Sequence, residues 1–291
     1  MHRKYTPYLY LALPVLVYVI FLVYPAIQLV LLSTQNWSGL GPRTFVGLAN
    51  YAELFSDPAF WNALGHNVAW MIGAMVVPVA IGLALAIFLS RSPLVGRSAF
   101  RVAYFIPQVI STVAVAVIWG WIYDPSFGPL NQILAAVGLG SLEPQWLGDE
   151  AMALPSIFIA WTWMQYGFAM VVLIASINAI DEIYFDAAKV DGAGAIDQVR
   201  HVILPFLRVP LATVILIVAI SSFQVFDLVF VLTNGGPGNS TMVLDLYMLR
   251  SSVQYQRVGY GAAIGVTLAV LVWLFSIVYL RARGTFGDAQ A

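Results

Sequence analysis

The chain has 291 residues, of which 61% are hydrophobic and 9% charged, with a mean hydropathy of +0.86. A soluble domain carries about 25% charged residues, so the composition points to a helical membrane protein. The net charge of −1 offers no electrostatic footprint for nucleic acid, and the absence of cysteine excludes disulfides, thiol catalysis and Cys-ligated zinc.

A helix that crosses a bilayer needs about 20 apolar residues, and six stretches qualify: 8–32, 61–89, 99–123, 151–177, 206–232 and 258–280. The first follows His2, Arg3 and Lys4, but its apolar run is too long for a signal-peptide h-region and has no small-x-small cleavage site. It reads as a retained helix, with Pro14 and Pro25 inside it; membrane helices tolerate proline where neighbours satisfy the freed carbonyls. Polar, turn-rich segments at 33–60, 124–150 and 233–257 alternate with the basic turn that holds Arg91, Arg97 and Arg101. Placing the N-terminus inside puts ten of the thirteen Lys and Arg residues on the cytoplasmic side: Arg3, Lys4, Arg91, Arg97, Arg101, Lys189, Arg200, Arg208, Arg281 and Arg283. Arg43, Arg250 and Arg257 fall outside. Trp37, Trp61, Trp119, Trp121, Trp146 and Trp273 lie near the span ends, as an interfacial belt requires.

The segment 181–205, DEIYFDAAKVDGAGAIDQVRHVILP, is the one long polar insert with helical order. Asp181 can cap a helix and Glu182 sits in its first turn, where the dipole favours acids. Ile183, Ala187 and Val190 form an apolar stripe at i, i+4, i+7. Gly192 stands where a terminal glycine ends a helix, a second short helix fits 195–202, and Pro205 suits the first turn of the fifth span. On the residues alone, this elbow is either an ordinary helical loop or a surface built for a soluble partner.

The run Asp186-Ala187-Ala188-x-x-Asp191-Gly192-Ala193, followed eight residues later by Val202-x-Leu204-Pro205, resembles the EAA motif of permease subunits in binding-protein-dependent ABC importers. Asp186 stands where that family usually has Glu, and Val202 where it usually has Ile. FVGLANYAELFSDPAFWNAL (45–64), FRVAYFIP (100–107) and VLTNGGP (231–237) resemble its carbohydrate branch, the maltose and glycerol-phosphate type. The resemblance covers nearly the whole chain. It implies an all-α, polytopic membrane protein of the type I importer class, with six transmembrane helices in a single permease domain. It also implies a coupling helix docked on a cytoplasmic ATPase through Asp186, Ala187, Ala188, Asp191, Gly192 and Ala193. The implied partners are a second, similar permease subunit, two ATPase subunits and an extracytoplasmic solute-binding protein that docks on the outer loops. ATP and magnesium would belong to the ATPase; the chain itself has no GxxxxGK[ST] and implies no cofactor.

Polar groups inside spans are functional candidates. In the fourth span Trp161, Gln165 and Phe168 share a face; in the fifth, Ser221, Ser222, Gln224 and Asp227 follow one another within SSFQVFD. Sugars bind through hydroxyl hydrogen bonds and through apolar ring faces stacked on aromatic side chains, so these seven form the candidate carbohydrate site. Packing is the competing role for Trp161, Ser221 and Ser222, and a place towards the outer end, within reach of water, is the competing reading of Asp227. A glycerol-phosphate or phosphodiester cargo would call for cavity cations, and these two spans offer only Arg208 at one end. An ion-driven secondary transporter would call for internal repeats and a buried acid relay; no repeat stands out and Asp227 is the one candidate acid. No nucleophile–base pair or metal cluster supports an intramembrane enzyme, and His66 reads as a helix-end polar group rather than a ligand.

Overall fold

The computed structural model describes residues 6–91, 95–140 and 144–284, with side chains from residue 10 onward. His2, Arg3 and Lys4 lie outside the described residues. The chain divides into two compact units, Met1–Ala63 with Leu244–Trp273 and Leu64–Val243 with Leu274–Ala291. Four described helices are long and apolar enough to cross a membrane, and six if each of two bent helix pairs counts as one span.

In the first unit, α1 (Thr6–Tyr18), a π-helical turn (Val19–Val23) and α2 (Tyr24–Ser33) form one continuous span. Pro25 cannot donate to the carbonyl four residues back, and the π turn just before it is the local adjustment that absorbs this loss. A two-residue hairpin follows, β1 (Gln35–Asn36) antiparallel to β2 (Thr44–Phe45), then α3 (Ala49–Ser56) and the start of α4 (Pro58–Arg91). Asn50 is buried and donates to Ser33 O at 2.8 Å and Gln35 O at 2.9 Å, which satisfies the end of α2. Asp57 joins α3 to α4: one carboxylate oxygen accepts from Ala59 N at 2.9 Å and the other from Tyr260 Oη at 2.6 Å and Tyr247 Oη. These hydroxyls belong to α14 (Leu244–Leu249) and α15 (Val258–Ala282). Burial pushes the Asp57 carboxyl up, but the two tyrosine hydroxyls and the helix N-terminal amides outweigh it and hold the group below its ordinary value. Gly259 admits the close approach of α15 to β1, since a Cβ there would lie 1.8 Å from Gln35 O.

The second unit is built around α8 (Glu150–Asn178), capped by Asp149, whose carboxylate accepts from the Ala151 and Met152 amides. Glycines set the distances to its neighbours, as small residues do in membrane helix pairs. A Cβ on Gly82 of α4 would meet Ala169 Cβ at 2.6 Å, and one on Gly167 would meet Tyr104 O at 2.9 Å. Tyr104 belongs to α5 (Arg97–Val109), which turns through 98° into α6 (Thr112–Ile122). The third apolar stretch, expected as one helix over 99–123, is therefore two, with Pro107 in the last turn of the first. After α6 come α7 (Pro129–Ala136) and α8, then α9 (Glu182–Val190), α10 (Ala195–Gln198), a π turn (Val199–Ile203), α11 (Leu204–Phe206) and α12 (Arg208–Ser221). The π turn again precedes a proline, Pro205, and the 70° bend at Leu207 falls three residues before Pro210, which cannot donate to Phe206. The fifth stretch, expected as one helix over 206–232, is also interrupted: α12 ends at Ser221 and α13 (Phe226–Leu232) begins after a non-helical 222–225.

The tryptophans divide. Trp61, Trp121 and Trp273 are exposed, as a lipid-interface belt requires, whereas Trp119 and Trp146 turn inward. They join Trp163 and Tyr123 in an aromatic chain: Trp163 to Trp119 at 6.0 Å, Trp119 to Tyr123 at 5.2 Å, Tyr123 to Trp146 at 5.7 Å. His66 donates from Nδ1 to Met242 O at 2.8 Å, so it anchors the 233–243 loop to α4. Among the described residues no three His, Asp or Glu side chains converge on a metal position.

Candidate functional site: an exposed elbow and a broken span

The elbow is built from its ends inward. Asp181 caps α9 through Oδ1, which accepts from Ile183 N at 3.0 Å. At the other end Gly192 takes φ +78°, Gly192 N donates to Lys189 O at 3.0 Å and Ala193 N to Ala188 O at 2.9 Å. This 5→2 and 6→1 pair closes the last carbonyls in a Schellman turn. The Asp197 carboxylate accepts from Gly194 N at 3.3 Å and starts α10. Three residues tie the elbow to its own unit. Phe185 is 0% exposed, and the Arg91 guanidinium lies over its ring at 3.2 Å. Arg91 Nη1 also reaches Glu182 Oε1 at 3.4 Å, and the Tyr184 ring lies 4.8 Å from that of Phe206.

The apolar stripe does the opposite of packing on the chain. Ile183, Ala187 and Val190 are exposed, Val190 at 88%, and Ile196 beyond the turn is exposed at 82%. Of the motif residues, Asp186, Ala187, Asp191 and Gly192 face out, and Ala188 and Ala193 are half-buried. Lys189 Nζ pairs with Asp186 Oδ1 at 2.9 Å along the same surface. The residue that fixes α9 is Phe185, two positions from both Ile183 and Ala187 and so on the opposite face from the stripe. Its signal was present as the aromatic beside the motif acid, but nothing in the sequence names Arg91 as its partner.

The seven candidate substrate residues do not form one lining. Trp161 is 5% exposed and packs edge-on to Trp70 at 5.8 Å and stacked on Phe158 at 6.0 Å, so its ring face is taken. Ser222 is fully buried, and its Oγ donates to Ala219 O at 2.6 Å. That bond offers the backbone an alternative to the helix ladder just where α12 stops. Gln165, Phe168 and Ser221 are half-buried; Gln224 and Asp227 are exposed, one in the break and one in the first turn of α13. Unwound backbone at membrane depth is stable only inside protein or beside water, and here Ser222, Phe223 and Val225 are buried in the chain while Gln224 is exposed.

Bent and broken spans around one central helix, with an exposed helical elbow between the fourth and fifth, define a polytopic membrane permease. A family model described as "Binding-protein-dependent transport system inner membrane component" matches residues 77–286. The chain is 36% identical to the probable ABC transporter permease protein YurN of Bacillus subtilis, over 96% of each chain. It is 33% identical to the diacetylchitobiose uptake system permease protein NgcF of Streptomyces coelicolor, over 96% of this chain and 82% of the other. A solved chain of a bacterial ABC transporter involved in the import of the acidic polysaccharide alginate superposes with a TM-score of 0.86, at 22% identity, over 98% of this chain and 97% of that one. The chain belongs to the family of binding-protein-dependent transport system inner membrane components, and its fold is that of an ABC importer permease.

Proposed function

We propose that this chain is one of two permease subunits of an importer for a neutral di- or oligosaccharide, driven by ATP hydrolysis in partner subunits. The observation that carries the sugar is the relative named for diacetylchitobiose uptake, aligned over 96% of this chain. The elbow supports the drive: an apolar stripe and an acid–base pair are held out from the unit on a helix that is locked at both ends. An ATPase subunit would dock on Asp186, Ala187, Ala188, Asp191, Gly192 and Ala193, and would hold the ATP and magnesium. The excess of basic residues on the elbow's side supports a cytoplasmic elbow and cytoplasmic termini. An extracytoplasmic binding protein would deliver sugar to the outer loops.

Within the span, Gln165, Phe168, Ser221, Gln224 and Asp227 would meet the sugar, with Trp161 and Ser222 shaping the wall behind them. Transport then follows from two arrangements of the helices, biased by contacts that differ between them. The elbow passes the ATPase movement into α4 and α11 through Arg91–Phe185 and Tyr184–Phe206.

The test is vanadate-sensitive uptake of a labelled oligosaccharide by membrane vesicles that hold the chain and its co-purifying subunits. Gly192→Asp and Asp186→Lys should uncouple transport from ATP hydrolysis, and Gln224→Ala should weaken uptake with coupling intact. Unchanged uptake in both elbow variants would remove the elbow from the drive. Uptake that follows an ion gradient and ignores vanadate would remove the ATPase altogether.

A further inference from the structure

A groove of about 400 Å³ lies between α5 and α8, within the second unit. Arg101, Val102 and Phe105 line one side, and Val171, Ile174, Ala175 and Asn178 line the other. Asn178 lies three residues before the Asp181 cap, and Arg101 lies one turn into α5. The other two arginines of this basic stretch have their own partners: Arg97 Nη1 donates to Ser90 O at 3.3 Å, and Arg91 meets Glu182 and Phe185. Arg101 differs: it is half-buried against the groove, its Nε is covered by the chain without an acceptor, and among the described residues no hydrogen bond or ion pair answers its guanidinium, whose outer nitrogens are left for a ligand. A buried donor without an acceptor is costly, and a guanidinium presents a fork shaped for phosphate. The rest of the groove is valine, isoleucine, phenylalanine and alanine, with the Asn178 amide as its other polar group.

We propose that this groove binds an anionic phospholipid, its phosphate on Arg101 and Asn178 and the first methylenes of an acyl chain along Val102, Phe105, Val171 and Ile174. The charge decides the occupant. An acyl chain alone would leave the guanidinium unanswered, and a free anion would leave the apolar walls wet. Basic pockets between membrane helices are known sites for anionic headgroups. The proposal requires that the chain be embedded in a bilayer with this groove open to lipid, and it is independent of cargo and drive. Because Asn178 is on the helix that leads into the elbow, the lipid would brace the base of α9.

The test is native mass spectrometry of the full chain, purified in detergent and titrated with phosphatidylglycerol or phosphatidylcholine. One phosphatidylglycerol per chain should persist under detergent that strips phosphatidylcholine. Arg101→Gln should lower the bound fraction about tenfold, the scale of one charge-assisted hydrogen bond, and Arg101→Lys by less. Ala175→Phe fills the groove from an exposed helix position, leaves the charge in place and should also abolish retention; it carries the test if Arg101→Gln yields no folded protein. Arg97→Gln should leave retention intact. Equal retention of the two lipids, unchanged retention in Ala175→Phe, a loss in Arg97→Gln as large as in Arg101→Gln, or displacement by inorganic phosphate would each overturn the site.

Discussion

Replacing Gly192 isolates what the elbow turn demands. The residue sits at φ +78°, and a Cβ built there meets no atom within 4 Å. Gly192→Ala therefore costs nothing in clashes, and its whole penalty is the left-handed backbone, about 1–2 kcal/mol for an L-residue. That is a roughly five- to thirtyfold rise in the local opening of the Schellman turn, taking about 1.4 kcal/mol per factor of ten. Asparagine visits this region readily and should cost only a fraction of that; valine, stiff at χ1, should cost most. Hydrogen exchange at the Gly192 and Ala193 amides, which donate to Lys189 O and Ala188 O, reads the opening directly. The expected order of protection is Gly, then Asn, then Ala, then Val, with global melting nearly constant across the series. Equal protection in the Asn and Val variants would refute the reasoning, since it would mean that positive φ does not hold the turn.

Three further outcomes follow from particular contacts. Phe185→Ala removes a ring that is 0% exposed and carries the Arg91 guanidinium, so it should destabilise the docking of α9 by about 3–5 kcal/mol, read as loss of exchange protection throughout α9; protection like that of the parent chain would show that another contact holds the helix. Gly82→Leu drives a side chain into Ala169 and the Met170 amide, which lie 2.6 and 2.8 Å from a Cβ, and should sharply lower the melting temperature; an unchanged melting curve would contradict the close α4–α8 packing. Burial raises the Asp245 carboxyl from 3.8 to about 6. The native state then holds the proton more tightly than the unfolded one, so stability is greatest below pH 4, falls as pH rises towards 6 and stays reduced above it. At about 1.4 kcal/mol per unit, Asp245→Asn should recover up to about 3 kcal/mol at pH 7 and flatten the profile, and a parent chain that gains stability between pH 4 and 6 would refute the sign.

The elbow shows how far a sequence can be read. Asp181, Glu182 and Gly192 are local signals, because a cap, a helix dipole and a left-handed residue act within four or five residues of the chain. The positions of α9 and its terminal turn follow from them. The direction its faces take does not: the stripe of Ile183, Ala187 and Val190 suits packing on the chain and a partner surface equally, and it faces out while Phe185 faces in. That choice rests on Arg91, which is 94 residues away from Phe185 in the sequence. The candidate substrate residues show the same limit. Their depth in the fourth and fifth stretches was legible from hydropathy, but Trp161 is occupied by Trp70 and Phe158 and Ser222 by Ala219 O.

The sequence by itself determined that this is a membrane-embedded helical protein, where its apolar stretches lie, and that a capped polar elbow interrupts them. Those properties follow from composition and short-range periodicity, which any bilayer reads one residue at a time. Only the tertiary structure decided where two of the stretches bend or break. SSFQVF holds neither glycine nor proline, so no local rule ends α12 at Ser221; the break lets α13 pack on α6 with Leu228 and Val229 buried. Packing between segments distant in sequence outweighs the cost of a few unmade helix bonds, and helix propensity alone cannot report that balance.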